Sequence, residues 1–238
     1  MSSSYSQKRI RITITLDEGG TSSQMVFTEH AMSVRIQKQG APELPKAQIS
    51  IWGLSQAQMT QLTMLSFDAR SLRRNVIEVA AGEGNSGLSV VFQGEIMNAA
   101  PDLNAAPSPV MRLEAISAAY PKLIPSAPVA VKGEQTVDSL MQSFANEAGM
   151  QYESVGITSS LSNCTINGDP IAKSKWVADT IGADLIIDDQ KIVLVNPESY
   201  RGQAVSIDVI NPENGQIGYP SFDSMGIRAV CLFNPNLQ

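Results

Sequence analysis

Between Lys8 and Leu16, the residues Ile10, Ile12 and Ile14 alternate with Arg9, Arg11, Thr13 and Thr15. A period of two puts β-branched apolar groups on one face of an extended chain and polar groups on the other, which predicts a half-buried strand. The same signature recurs downstream. Asp17 to Ser23 is a turn cluster, and Val26 to Gln37 alternates again through Phe27, Met32, Val34 and Ile36, so the simplest reading is a hairpin. After a loop carrying Pro42 and Pro45, Ala47 to Trp52 forms another strand. Ser55-Gln-Ala-Gln58 then has the form of a capping box opening a helix with Met59, Leu62 and Leu65 on one face. Asn75 to Gly82, Leu88 to Ala99 and Val110 to Ala118 supply three further strands. Residues 1–119 therefore read as a small antiparallel β-barrel or sandwich.

Beyond Pro121 to Pro128, read as a linker, the hydrophobic period changes. Val137, Leu140, Met141, Phe144 and Ala148 recur at helical spacing, with Asp138 in the first turn and Gly149 at the stop. A second unit repeats this logic: Asp169 is the predicted N-cap, Pro170 the first helical residue, Val177, Ala178 and Ile181 one face, and Gly182 the end. Each helix runs into a strand, Met150 to Val155 after the first and Leu185 to Ile187 after the second. The latter is paired through Asp188-Asp-Gln-Lys191 with Ile192 to Val195. Residues 120–200 are thus expected to form a small α+β domain of two helix–strand modules. Ala204 to Val209, Gly215 to Tyr219 and Gly226 to Phe233 return to strand character, so 201–238 reads as the beginning of a second, incomplete β-barrel. The fold class expected for the whole chain is strand-rich α+β.

Function classes narrow by chemistry. Seventeen Lys and Arg against 23 Asp and Glu give a formal charge of −6, which provides no electrostatic footprint for gripping phosphates and argues against sequence-specific nucleic-acid binding. An acidic wall does suit a conduit past which a polyanion slides without sticking. Cys164 and Cys231 are the only cysteines and lie too far apart in sequence for a CxxC site, so neither a zinc site nor a disulfide framework is expected. Met1 to Arg11 has no apolar signal core, and no run of about 18 apolar residues occurs, so neither signal-peptide export nor membrane insertion is expected.

His30 is the single histidine and, beside Glu29 in a predicted strand, reads as an ordinary rim residue rather than a catalytic base. No GxSxG or HExxH motif is present. Asp188 and Asp189 could in principle do acid–base work or hold Ca²⁺, but adjacent side chains at a hairpin tip diverge, and the turn reading is the stronger. Glu83-Gly-Asn-Ser-Gly87 is glycine-rich without the Lys-Ser/Thr ending of a phosphate loop, and Asn163-Cys-Thr165 fits the glycosylation pattern only formally. Trp52 and Trp176 read as packing residues. Arg9, Arg11, Arg70, Arg73 and Arg74 are the candidate interface residues, placed to make ion pairs between subunits of an acidic protein. No catalytic residue, metal site or cofactor is expected.

Several segments together resemble the baseplate hub family of Mu-like and related tailed phages, whose relatives include the hub part of type VI secretion spikes. They are Ile49-Ser-Ile-Trp-Gly-Leu-Ser55 leading into a helix, and Val76-Ile-Glu-Val-Ala-Ala-Gly82 followed by Val91-Phe-Gln-Gly-Glu-Ile96. To these are added the paired modules ending in Ala148-Gly149 and Ile187-Asp-Asp-Gln-Lys-Ile-Val193, and Gly218-Tyr-Pro-Ser-Phe222 leading into Val230-Cys-Leu-Phe233. The resemblance implies a non-enzymatic structural subunit of the virion tail baseplate, assembled in the host cell cytoplasm. It implies a homotrimer whose two barrels per subunit alternate around a channel for DNA. The partners implied are a tail tube or distal tail protein, a central spike protein and a tape measure protein. A full second barrel would need more strands than Ala204 to Gln238 supply, so the expectation is either that further strands follow Gln238 or that neighbouring subunits complete that sheet. The alternatives are a tail-tip cell-wall hydrolase, disfavoured by the lack of a usable His or carboxylate pair, and a receptor- or glycan-binding tail module, disfavoured by the scarcity of aromatic residues.

Overall fold

The computed structural model describes residues 8–17, 22–39, 43–67, 75–83, 87–105, 107–123, 126–199, 209–224 and 226–233. Its first part is one antiparallel sheet built from β1 (Lys8–Asp17), β2 (Ser22–Phe27), β3 (Met32–Gln37), β4 (Lys46–Trp52), β5 (Val76–Glu83), β6 (Ser89–Asp102) and β7 (Val110–Ile116). The seven strands lie in the order β2-β1-β5-β6-β7-β4-β3. Alternation decides the faces: Ile12, Ile14 and Leu16 of β1 are buried with Ala47, Ile49 and Ile51 of β4, and Ile77, Val79, Phe92, Met111 and Leu113 join them. The helix α1 (Gln56–Phe67) adds Leu62 to this core, and its capping box forms as expected: Gln58 N–H donates to Ser55 Oγ at 3.3 Å and Ser55 N–H to Gln58 Oε1 at 2.9 Å.

The expectation of one long strand from Val26 to Gln37 is corrected. The chain bends at Thr28, Glu29 and His30, and β2 and β3 become the two opposite edges of the sheet. That break shapes the whole sheet. Five Cα steps from Phe27 to Met32 span at most about 18 Å, whereas the outer strands of a flat seven-stranded sheet would stand about 29 Å apart. The sheet therefore rolls until its edges approach, enclosing the apolar face. Among the described residues no ladder joins β2 to β3, so the roll stays open along that seam rather than closing as a barrel.

The next part alternates strands and helices: β8 (Val129–Thr136), α2 (Val137–Ala148), β9 (Gln151–Val155), β10 (Ser160–Ile166), α3 (Pro170–Ile181), β11 (Asp184–Asp188) and β12 (Lys191–Val195). Both helix–strand modules appear. Asp169 caps α3 by accepting from Ala172 N–H at 2.9 Å, and both helices end in left-handed glycines, Gly149 (φ 67°) and Gly182 (φ 68°). The helices pack together and share a core with the sheet β11-β12-β9, whose central strand β12 runs parallel to β9. Leu140, Met141 and Phe144 of α2 meet Val177 and Ala178 of α3 over Ile187, Ile192 and Leu194. The ribbon of β8 and β10 was not anticipated, because its sequences carry few apolar residues.

One buried charge holds this region to the chain that leads into it. Lys173, on α3, is 0% exposed; its ammonium donates to Ala127 O at 2.7 Å, to Ser126 Oγ and to Glu147 Oε2 at 3.3 Å, and lies 5.6 Å from the Phe144 ring centroid. Charge, hydrogen bonds and ring face together offset its desolvation. Lys173→Ala is expected to destabilise this region by about 2–4 kcal/mol, through a cavity and an orphaned carbonyl. Lys173→Met, which refills the volume and forfeits only the polar partners, should cost about half as much. Urea unfolding in a Trp52→Phe background, where the remaining Trp176 reports on α3, checks the order; an alanine variant no weaker than the methionine one would contradict it.

Candidate functional site

His30 sits in the bend between β2 and β3, not inside a strand, half-buried and edge-on to Phe27 with ring centroids 5.5 Å apart. No group of three or more His, Cys, Asp or Glu among the described residues could hold a metal ion. Among the described residues no helix is long and apolar enough to cross a membrane. Asn163 lies in β10, and Trp176 is 38% exposed on α3, so it is not the packing anchor expected.

What the described surface offers instead is an unpartnered ribbon. Among the described residues, strands β13 (Gln216–Asp223) and β14 (Gly226–Cys231) pair only with each other. Phe222 stands opposite Ile227, and Ile217 opposite Val230. Positions 227 and 230 are three apart on a regular strand, so the two pairs lie on opposite faces; Arg228, opposite Ser221, shares the face of Val230, which is mixed, while the face of Phe222 and Ile227 is the more apolar. Tyr219 is 98% exposed, Phe222 80% and Ile227 70%. A two-stranded ribbon in water is marginal, and one that exposes an apolar pair on each face is suited to being covered by a partner. Leu232 and Phe233 prolong the apolar run, and the Phe233 carbonyl accepts from the Lys8 ammonium at 3.4 Å. Phe233 and Lys8, with Arg9, Ile10, Val34 and Ile36, line an apolar groove of about 400 Å³ along the seam of the first sheet. The strand expected over Ala204 to Val209 lies outside the described residues, apart from the exposed Val209.

The candidate arginines separate. Arg9 is exposed on β1, opposite Gly82; Arg11 points to Glu78 at 3.9 Å on a polar face with Thr13, Gln24 and Gln93. Arg70, Arg73 and Arg74 lie outside the described residues.

The Asp188–Asp189 pair is a turn, as expected, but one with a second task. Asp189 adopts φ 51°, the left-handed conformation that Asp and Asn tolerate, and closes the hairpin of β11 and β12. From that tip it reaches the first sheet. Its carboxylate accepts Gln93 N–H at 2.8 Å, its carbonyl accepts Ser117 Oγ–H at 2.6 Å, and the Lys38 ammonium bridges Asp188 at 2.6 Å and Asp189 at 3.3 Å. Burial pushes the Asp189 carboxyl above the usual range, against the pull of Gln93 N–H and Lys38. Burial works to lower Lys38, yet the bond to Asp188 and the charges of both aspartates hold it above its ordinary value. Close by, Glu95, itself buried, accepts Ala119 N–H at 2.9 Å. Adjacent sequence gave no sign of the contacts made by Asp188 and Asp189, since their partners stand 72 to 151 positions away.

Comparison with known proteins places these features. No curated protein sequence matches the chain. Among solved structures it is similar to a tail protein from Neisseria meningitidis MC58, at 12% identity and a TM-score of 0.54, over 90% of this chain and 60% of that one. It is also similar to the 43 kDa tail protein of prophage MuSo2 from Shewanella oneidensis, at 11% identity and a TM-score of 0.55, over 88% of this chain and 61% of that one. These likenesses are of fold, and the chain spans about 60% of the length of either structure. The family model described as Baseplate hub gp41 matches residues 9–238. Nearly the whole chain is thus accounted for, and the protein, a structural component of a phage tail, belongs to the baseplate hub gp41 family.

Proposed function

We propose that this chain is the protomer of a trimeric hub ring that joins the tail tube, or a distal tail protein, to the central spike and lines the passage for DNA. The observation that carries this reading is the ribbon of β13 and β14, whose apolar pairs Phe222–Ile227 and Ile217–Val230 stand exposed on opposite faces. In a member of a hub family, such a ribbon is a surface kept for another subunit. The open edges β2 and β3 offer backbone donors and acceptors for the same purpose. Three units are read along the chain: 1–119 as the rolled sheet, 120–200 as the helix–strand region, and 201–238 as strands of a second barrel completed by neighbours.

Arg9 and Arg11, with Arg70, Arg73 and Arg74, are assigned to ion pairs between subunits, where an acidic chain needs cations. The work is mechanical rather than chemical, carried out in the baseplate of the virion after assembly in the host cytoplasm. The spike and the tape measure protein are the remaining partners. Particle imaging of the purified protein is expected to show threefold rings with a central opening. A chain that stays monomeric at the highest attainable concentration, alone and with its tail partners, overturns the proposal.

A further inference from the structure

We infer that the Asp188–Asp189 turn is an electrostatic clasp that fixes the orientation of the helix–strand region against the first sheet. A hairpin tip by itself needs only a residue that tolerates positive φ, and glycine or asparagine would serve. Asp189 does more. Gln93 lies beyond the last pair of β6 with β7, Glu95 opposite Ile116, so its outward N–H has no strand partner there, and the Asp189 carboxylate supplies the missing acceptor. Ser117, just past the end of β7, is fully buried and donates to the Asp189 carbonyl. Lys38, just past the end of β3, closes the other side against both aspartates.

Three separate places on the first sheet therefore converge on two residues of one turn. Of the nearby charges, Lys191 and Glu153 are paired with each other at 3.2 Å and Glu95 accepts Ala119 N–H; among the described residues Lys38 is the cation that bridges the two aspartates. Apolar contact across this junction is limited: buried Leu44 and Ala118, with half-buried Ile116 packed against them, are what the first sheet and its flanks add to the core around α2 and α3. The polar clasp, rather than a shared core, is what sets the angle. Because Lys38 and both aspartates are partly exposed, the clasp loosens with salt. In mild acid it loses the Asp189 charge before ordinary carboxylates are neutralised. The sign differs for folding: a carboxyl raised by burial takes up its proton more readily in the folded chain, so acid favours the fold through Asp189 while weakening its pairing with Lys38.

Hydrogen exchange at the Gln93 amide, read together with the radius of gyration from small-angle scattering, tests the clasp directly. Lys38→Gln and Asp188→Asn are each expected to speed Gln93 exchange by about tenfold or more and to broaden the scattering profile, as is raising salt on the native chain. Asp189→Asn, which keeps both the left-handed turn and an oxygen for Gln93, should have a smaller effect. Val193, in the middle of the β11–β12–β9 sheet, is the control and should exchange at its native rate. Unchanged Gln93 exchange in all variants overturns the clasp, and so does a matching rise at Val193, which would mean plain unfolding. The consequence for assembly rests on the hub reading: rings that fail to form while Gln93 behaves as stated count against the ring and leave the clasp standing.

Discussion

Replacing Phe222 and Ile227 together by serine is expected to abolish ring formation while leaving both folded regions intact. The two side chains face each other across the ribbon and are 80% and 70% exposed, so serine removes no buried contact from the isolated chain. Covering each by a neighbouring subunit would be worth about 1.5–3 kcal/mol. Their joint loss therefore weakens each subunit contact by about two to four orders of magnitude, enough to leave monomers at micromolar concentration. A matched pair on the other face, Ile217→Ser with Val230→Ser, should act in the same direction if both faces are covered. Sedimentation measures the association state, and circular dichroism confirms that the fold is kept. Rings that persist with both faces made polar would show that the ribbon is not the contact.

How much of this was legible beforehand depends on the range over which each interaction acts. The alternation around Ile10, Ile12 and Ile14 set the buried face of β1, and the switch to helical spacing at Val137 located α2, because both patterns follow from backbone geometry within a few residues. Capping was legible for the same reason, at Ser55 and at Asp169. The separation of β2 from β3 was not. A strand pattern running through Thr28 to Ala31 carries no mark of which neighbour each half will find, and here the halves find β1 and β4 at opposite edges of the sheet. Lys173 escaped notice because a lysine on a helix is ordinarily solvated, and its partners Ser126, Ala127 and Glu147 converge only in the fold. The acidic turn was recognised as a turn, but its grip on Lys38, Gln93 and Ser117 depends on tertiary placement. The ribbon was visible as strand character without closure, and the structure adds that apolar side chains stand exposed on both of its faces.

The segment Gln93-Gly94-Glu95 shows how a short motif can be held in place by a junction rather than by chemistry. Gln93 offers its N–H to the Asp189 clasp, and Glu95 turns inward to accept Ala119 N–H. Gly94, between them, lets two backbones meet. A β-carbon at Gly94 would stand 2.8 Å from the Ile116 carbonyl oxygen, 2.9 Å from its carbonyl carbon and 2.8 Å from Phe92 Cζ. The Phe92 ring can shift, but Ile116 is paired with both Glu95 and Lys46 and cannot move without pulling β7 from its neighbours. Gly94→Ala is therefore expected to cost about 2–3 kcal/mol by overpacking. Gly94→Val, with two further carbons and no room for them, should prevent the first sheet from forming and leave the chain insoluble or proteolysed. Thermal unfolding of the alanine variant and soluble yield of the valine variant are the measurements, with Gly87→Ala, where a β-carbon meets nothing within 4 Å, as the control. If Gly94→Val folds as stably as the native chain, β6 and β7 do not approach as closely as described, and the junction that positions the clasp is not built around Gly94.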